Sequence, residues 1–246
     1  MKDKIVNFGF KKVVASAKPK MVQEVFSSVA TKYDVMNDIM SAGIHRAWKR
    51  RFVELICQSS TEHLLDVGGG TGDIAARFLN KGGKLVTVVD INKHMLEQGQ
   101  KKYKNTHLDK YITWQVEDAE NLPFEDNSFS VYSISFCLRN VTNTQKALQE
   151  AYRVLKPGGR FFCLEFSKVN NSLLSQLYDI WSFHFIPNIG NLITKDKHSY
   201  QYLVESIRKF YTQEELKSII KDVGFIDTYY ENLTNGIACI HSGLKV

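Results

Sequence analysis

Two periodicities run along this chain. Between Met21 and about Gln58 apolar residues recur at helical spacing, as Val22, Val25, Phe26 and Val29 and then as Trp48, Phe52, Leu55 and Ile56. Beyond residue 60 short apolar runs alternate with helical stretches. The runs predict strands over Leu64–Val67, Lys84–Val89, Tyr111–Val116, Ser130–Phe136 and Arg160–Phe166. Helices are expected from the glycines after Val67 through Leu79, after Asp90 to about Tyr103, and over Thr144–Leu155. The last ends at Pro157-Gly158-Gly159, a turn that stops a helix and launches a strand. Strand-helix alternation of this kind predicts an α/β fold with a doubly wound, mostly parallel sheet.

The stretch from Asn170 to Phe210 breaks that rhythm. It is rich in aromatics and reads as inserted helices. A helix over Gln213–Val223 follows, then runs at Phe225–Glu231 and Ile237–Ser242 with Asn235-Gly236 between them. Asn-Gly between two apolar runs is a hairpin signal, so the sheet should finish antiparallel. We therefore divide the chain into an N-terminal helical extension (residues 1–60) and a main domain (61–246) with a helical insertion at about 170–210.

Composition narrows the class. With 246 residues, 43% hydrophobic and 24% charged, the chain suits one well-buried globular domain. The net charge of +6 favours an anionic surface but is far from the density of a dedicated nucleic-acid binder. The four cysteines are scattered, with no CxxC pair or Cys/His cluster, so reduced core cysteines are expected and no metal site. No apolar run approaches the roughly 20 residues needed to cross a bilayer. Met1–Lys20 carries lysines without the apolar centre of a signal peptide and reads as a mobile, basic, cytosolic start.

The sharpest chemical signal is Asp66-Val67-Gly68-Gly69-Gly70-Thr71-Gly72-Asp73, at the end of the first strand of the alternating region. In an open α/β sheet such a loop marks the ligand crevice beyond the carboxyl ends of the strands. A dinucleotide G-x-G-x-x-G fails in every register, and no G-K-[ST] follows for a phosphate loop. What fits is D-x-G-x-G-x-G through Gly68, Gly70 and Gly72, a loop similar to that of methyltransferases. Their donor carries an amino acid and a sulfonium but no phosphate, so an acid near the loop makes sense. Asp90 ends the second strand about 20 residues on, where an acid can bind ribose hydroxyls. Glu117-Asp118-Ala119 follows the third strand, where Asp118 can accept from an adenine amino group and apolar residues can cover the ring.

Longer motifs carry a family resemblance along nearly the whole chain. Val25-Phe26, Ser28-Val29-Ala30 and Lys32 through Asp38, continued by Gly43-Ile44-His45-Arg46 and Trp48-Lys49, resemble the first signature of the ubiquinone/menaquinone biosynthesis C-methyltransferases. Ser135 through Val141 resembles the second signature. Arg153 to Gly159 with Leu164 to Lys168 resembles the third, and Ser199 to Ile207 with Asn232-Leu233-Thr234 completes the match. The resemblance implies a Rossmann-like class I methyltransferase using S-adenosyl-L-methionine, held by Thr71, Asp90, Asp118, Ala119 and Ser135 beside Asp66, Gly68, Gly70 and Gly72. The acceptor it implies is a polyprenylated quinol, either demethylmenaquinol or 2-methoxy-6-polyprenyl-1,4-benzoquinol. Two departures stand out: Gly68 where the family often has Ala, and Cys137 where Gly is common.

For such chemistry we expect Arg139 to support a developing phenolate, directly or through water, and Asn140 to orient it. His45 and Tyr33 are second-rank candidates. Tyr178, Trp181, Phe183, Phe185 and Ile186 could accommodate a polyprenyl tail or touch the inner face of a membrane from a cytoplasmic protein, with nearby lysines favouring anionic head groups. A homodimer is left open. Two other readings compete. The basic charge and Lys49-Arg50-Arg51 suggest an RNA methyltransferase, but Ser135-Phe136-Cys137-Leu138 stands where amino-methylating nucleic-acid enzymes usually carry Asn/Asp-Pro-Pro-Tyr, so no nucleic-acid partner is expected. Against a non-catalytic S-adenosylmethionine-binding scaffold stand the intact glycine loop and the Arg-Asn pair.

Overall fold

Alternate residues of the central strands point into two separate apolar layers, which forces helices onto both faces of the sheet. Leu64, Val131, Phe162 and Leu164 enter one core, while Leu65, Val67, Tyr132, Ile134, Phe161 and Cys163 enter the other. In the computed structural model, which describes residues 4–29, 37–38, 41, 43–169 and 197–246, this gives a seven-stranded sheet. Its strands are β3 (His63–Val67), β4 (Leu85–Asp90), β5 (Ile112–Val116), β6 (Phe129–Ser135), β7 (Leu155–Phe166), β8 (Ile226–Leu233) and β9 (Ala238–Leu244). Their spatial order is β5-β4-β3-β6-β7-β9-β8. The order reverses between β3 and β6, and that switch point is where an open α/β sheet leaves its ligand crevice.

Pairing is parallel from β5 through β7, and β9 runs antiparallel to both β7 and β8. The expected C-terminal hairpin therefore forms, but it is not appended to the edge. Its second strand is inserted between β7 and β8, because β9 is apolar enough to be buried while β8 is exposed along much of its length. The connection is Thr234–Gly236, with Asn235 in the left-handed region at φ 54°.

Helices α3 (Asp73–Asn80), α4 (Lys93–Tyr103), α5 (Thr144–Val154) and α7 (Gln213–Val223) lie within about two residues of the boundaries read from the pattern. Helices α5 and α7 cover one face through Ala147, Leu148, Leu216 and Ile220. The other face is covered by α2 (His45–Ser59), α3, and α6 (Lys197–Lys209), with α1 (Lys18–Val29) beside them. Val22, Trp48 and Phe52 share their core with Leu64 and Phe162, so the N-terminal segment is packed into the main domain.

One expectation is corrected. From residue 4 on, the start of the chain is built into the fold, and the extension is not wholly helical. Ile5–Phe8 (β1) and Lys11–Val14 (β2) pair as an antiparallel hairpin. It is held down because Phe8 is buried and stacks on Tyr202 of α6 at 4.1 Å, while the Phe10 N–H donates to Glu205 at 2.9 Å. A lone aromatic finding a distant partner leaves no local periodicity to read. The expected helical insertion lies outside the described residues up to position 196, as do Tyr33, Tyr178, Trp181, Phe183, Phe185 and Ile186; from Lys197 it is α6.

Candidate active site

The glycine loop turns sharply off β3 and is tied to β4. The Gly69 N–H donates to the Val89 carbonyl at 3.1 Å and the Gly70 N–H to Asp90 Oδ2 at 3.0 Å. A second N–H, from Asn92, reaches Asp90 Oδ1 at 2.8 Å. The N-cap of α4 is Asn92, whose side chain accepts from the Met95 N–H, so Asp90 is not spent as a cap. Its carboxylate is instead built into the loop floor, with lone pairs to spare for a ligand. Burial pushes its pKa up to about 6, against the pull of the two N–H donors.

Between this loop, α1 and the turn after β6 lies a two-lobed crevice. One lobe, of about 670 Å³, is lined by Gly68, Gly70, Thr71, Asp90, Ser135 and Asn140 among others. The second, of about 510 Å³, shares Gly68, Asp90 and Asn140 with the first and adds Asp118 and Ala119. Seven of the expected binding residues thus converge with Asn140, although they come from four different strand ends. The Glu120 N–H donates to Asp118 Oδ1 at 2.9 Å, fixing that carboxylate on the rim.

Three expected residues stand elsewhere. Gly72 does not line the crevice. It has φ +78°, and a Cβ there would fall 2.5 Å from the Trp114 ring, so glycine serves helix–sheet packing. Asp66 is fully buried under the loop, accepting from the Ser133 hydroxyl at 2.7 Å. Its Oδ2 has no partner among the described residues, and burial lifts its pKa to about 7. It supports the loop from beneath and does not line the crevice.

Arg139 is the third. Its guanidinium is buried, pairing with Glu165 at 2.7 Å and donating to the Phe136 carbonyl at 2.6 Å. Burial raises the Glu165 pKa, against the opposing pull of Arg139. Arg139 lines an adjoining cavity and not the crevice. Among the described residues it does not border the crevice, and its charge is met by Glu165. What it does is hold a strained turn. Phe136 adopts φ +52°, a left-handed conformation rare for an aromatic residue and costing about 1–3 kcal/mol. Arg139 anchors the carbonyl of that residue, and Asn140, brought into the crevice by the same turn, accepts from the Tyr202 hydroxyl at 3.0 Å.

Several crevice residues escaped the sequence pattern. Lys49, on α2, is buried in the wall and pairs with Asp73 at 2.9 Å, and Arg77 meets the other Asp73 oxygen at 3.0 Å. Burial opposes ionisation of Asp73, but Lys49 and Arg77 outweigh it and hold its pKa below the ordinary value. Val22, Gln23 and Phe26 of α1 form the roof, which is latched by the Gln23 amide donating to the Ile91 carbonyl and the Asn92 amide donating to the Gln23 carbonyl. Helical periodicity showed that α1 and α2 exist; nothing in it told which face would meet the loop. His45 is buried, pairs with Asp38 at 2.8 Å and stays outside the crevice. Among the described residues no group of acids, cysteines and histidines could hold a metal.

The Gly68 and Cys137 departures meet in space. A Cβ on Gly68 would fall 2.2 Å from Cys137 Sγ. Burial and the nearby Asp90 push the Cys137 thiol well above its ordinary pKa, which leaves it neutral and unsuited to nucleophilic attack.

The donor fits this crevice on the structure's own terms. It offers an acid at the second-strand end, a buried cation beside the loop, and backbone that passes without a Cβ. Comparison with known proteins agrees. The family model of the ubiE/COQ5 methyltransferase family matches residues 12–245. The chain is 50% identical, over an alignment 275 positions long, to the mitochondrial 2-methoxy-6-polyprenyl-1,4-benzoquinol methylase of Bos taurus, covering 98% of this chain and 83% of that one. It is 49% identical to the ubiquinone/menaquinone biosynthesis C-methyltransferase UbiE of Roseobacter denitrificans, covering 99% and 98%. Among solved structures, a Thermotoga maritima S-adenosylmethionine-dependent methyltransferase superposes with a TM-score of 0.63 at 20% identity, over 91% of this chain and 99% of that one. The citrinin polyketide synthase CMeT domain superposes at 0.64 with 15% identity, over 91% and 59%. These two likenesses concern the fold.

Proposed function

This chain belongs to the ubiE/COQ5 methyltransferase family, and from that premise we propose that it methylates a ring carbon of a polyprenyl quinol with S-adenosyl-L-methionine as donor. Supporting this reading is one coincidence: a match over residues 12–245 includes every residue that the crevice brings together. When bound, the donor would supply a sulfonium methyl group to an electron-rich ring carbon, the S–CH3 bond breaking to leave S-adenosylhomocysteine, a C–C bond forming, and the ring proton passing to water.

This chain's own residues prepare the place. Asp90 is suited to the ribose hydroxyls and Asp118 with Ala119 to the adenine, in the second lobe. Lys49 pairs with Asp73 through one of its three N–H donors and has two left for the donor's carboxylate. The α1 roof excludes water through Val22 and Phe26, and in a dry site each fixed charge acts more strongly. Asn140 reaches the crevice from the turn that Arg139 holds, so we assign Asn140 to the acceptor hydroxyl and treat Arg139 as a positioning residue. Positioning of this kind supplies much of the barrier reduction in a two-substrate transfer.

The test is incubation with labelled donor and reduced demethylated quinones of both ring types, followed by mass analysis of the lipid. One added methyl on the ring carbon is the expected product. No label in either lipid, with the donor bound, would reject the acceptor class. A lipid-tailed acceptor also calls for contact with a membrane surface. Among the described residues no helix is long and apolar enough to cross one.

A further inference from the structure

The β1–β2 hairpin has a use for its inner face and none so far for its outer one. Register places Ile5 opposite Val14 and Val6 opposite Val13. Since successive residues point to opposite faces, Val6, Phe8 and Val13 turn inward, where Phe8 is buried and Val13 packs on the core. Ile5 and Val14 turn outward as a cross-strand pair, 56% and 40% exposed, and Phe10 at the tip is 52% exposed. Three of the ten exposed large hydrophobics among the described residues therefore lie within ten positions, a concentrated tip and not scatter.

The charge around that tip is predominantly positive. Lys4, Lys11, Lys12 and Lys20 are all exposed, and Lys209 of α6 places its Nζ 5.6 Å from the Phe10 ring centre. No acid occurs between Lys4 and Gln23. The one carboxylate at the turn, Glu205, accepts from the Phe10 N–H and the Gln201 amide and keeps its charge, against these five lysines. Behind the hairpin opens a cavity of about 780 Å³, which its Val6, Asn7 and Gly9 help to line together with Lys18, Arg139 and Lys209. No residue lining it is acidic. Lys18 is itself buried and spends one donor on the Val141 carbonyl at 2.8 Å, leaving two.

We propose that this hairpin docks the enzyme on an anionic phospholipid surface, with Ile5, Phe10 and Val14 entering the acyl boundary and a lipid phosphate seated in the cavity beside Lys18 and Lys209. Exposed apolar side chains ringed by lysines suit the edge of a negatively charged leaflet, where each lysine adds to the attraction. Docking here would also bring α1, the crevice roof that follows directly from the hairpin, to the bilayer. The inference extends the proposed lipid-tailed acceptor, but it stands on a surface that takes no part in the crevice.

The experiment is co-sedimentation of the full chain with phosphatidylcholine vesicles, with and without phosphatidylglycerol. Binding is expected to the mixed vesicles only, and to weaken with salt. Lys11→Gln/Lys12→Gln should weaken it about 25-fold, at about fivefold for each lysine near an anionic surface. Lys209→Gln should weaken it about fivefold by the same rule. Ile5→Ser/Phe10→Ser/Val14→Ser should reduce it to background. Each variant should keep the wild-type urea midpoint and the wild-type turnover of a detergent-dispersed, short-tailed quinol. Equal binding to neutral vesicles, or undiminished binding by the apolar triple variant, would overturn the proposal. So would a wild-type dimer that the triple variant dissolves while vesicle binding persists, since a second copy would then cover the patch. Failure of turnover on every quinol would count against the acceptor assignment alone, because sedimentation does not depend on it.

Discussion

Gly68 and Cys137 form a coupled pair that can be tested on its own. Gly68→Ala places a methyl 2.2 Å from Cys137 Sγ and 2.5 Å from Cys137 Cβ, against about 3.5–4.0 Å for ordinary contact. Overpacking of that kind costs about 1–3 kcal/mol. Backbone adds to it, since Gly68 has φ +62° and a non-glycine residue in that region costs about 1–2 kcal/mol. In a Cys137→Gly background the overlap vanishes and only the backbone cost remains. The two substitutions should therefore couple by about 1–3 kcal/mol, the double variant being more stable than the sum of the single losses. Urea unfolding of the four proteins measures the coupling directly. Titration with S-adenosylhomocysteine gives a second readout, because Gly68 and Cys137 both line the crevice. About tenfold weaker binding is expected for each 1.4 kcal/mol of displacement that reaches the loop. If Gly68→Ala costs the same with Cys or Gly at 137, the side chains do not compete for one space and the reasoning is refuted.

Other expectations follow from the same geometry. Glu165→Gln should destabilise the protein by about 3–5 kcal/mol in urea unfolding, since it strips a buried guanidinium of its partner. Arg139→Lys should lower turnover while leaving S-adenosylhomocysteine affinity near wild type, because the turn that carries Asn140 loses its anchor on the Phe136 carbonyl; unaltered turnover would remove Arg139 from positioning. Lys49→Met should weaken S-adenosylhomocysteine far more than 5′-methylthioadenosine, which lacks the carboxylate, and equal losses on calorimetry would deny Lys49 that contact. Donor affinity should fall as pH drops through about 7 to 6, because Asp66 and Asp90 then take up protons and a cationic donor favours their ionised forms. The sign is opposite for donor-free stability. The raised pKa of Asp66 makes the folded state bind more protons than the unfolded chain between about 4 and 7, so this contribution declines as pH rises through that window. Comparing wild type with Asp66→Asn across that range isolates it.

Much of this protein was legible from local order alone. Strand–helix alternation sets the layers, since a strand with apolar residues on both faces must be covered twice, and the covering helices announce themselves by their own period. The glycine loop and Asp90 could be found because their chemistry is local: a turn without Cβ atoms, and an acid at the next parallel strand end. Other features needed the third dimension. The hairpin at residues 5–14 is fixed by the Phe8 stack on Tyr202 and the Phe10 hydrogen bond to Glu205, nearly 200 positions away, and carries little signal of its own. Lys49 and Arg139 look alike in the sequence, each a cation in a recognisable motif. Packing alone pairs Lys49 with Asp73 in the crevice wall and Arg139 with Glu165 outside it. A periodic pattern says which side of an element is buried. Which charge finds which partner depends on how elements distant in the chain are packed together, because burial leaves an ion no choice but the neighbour the fold provides.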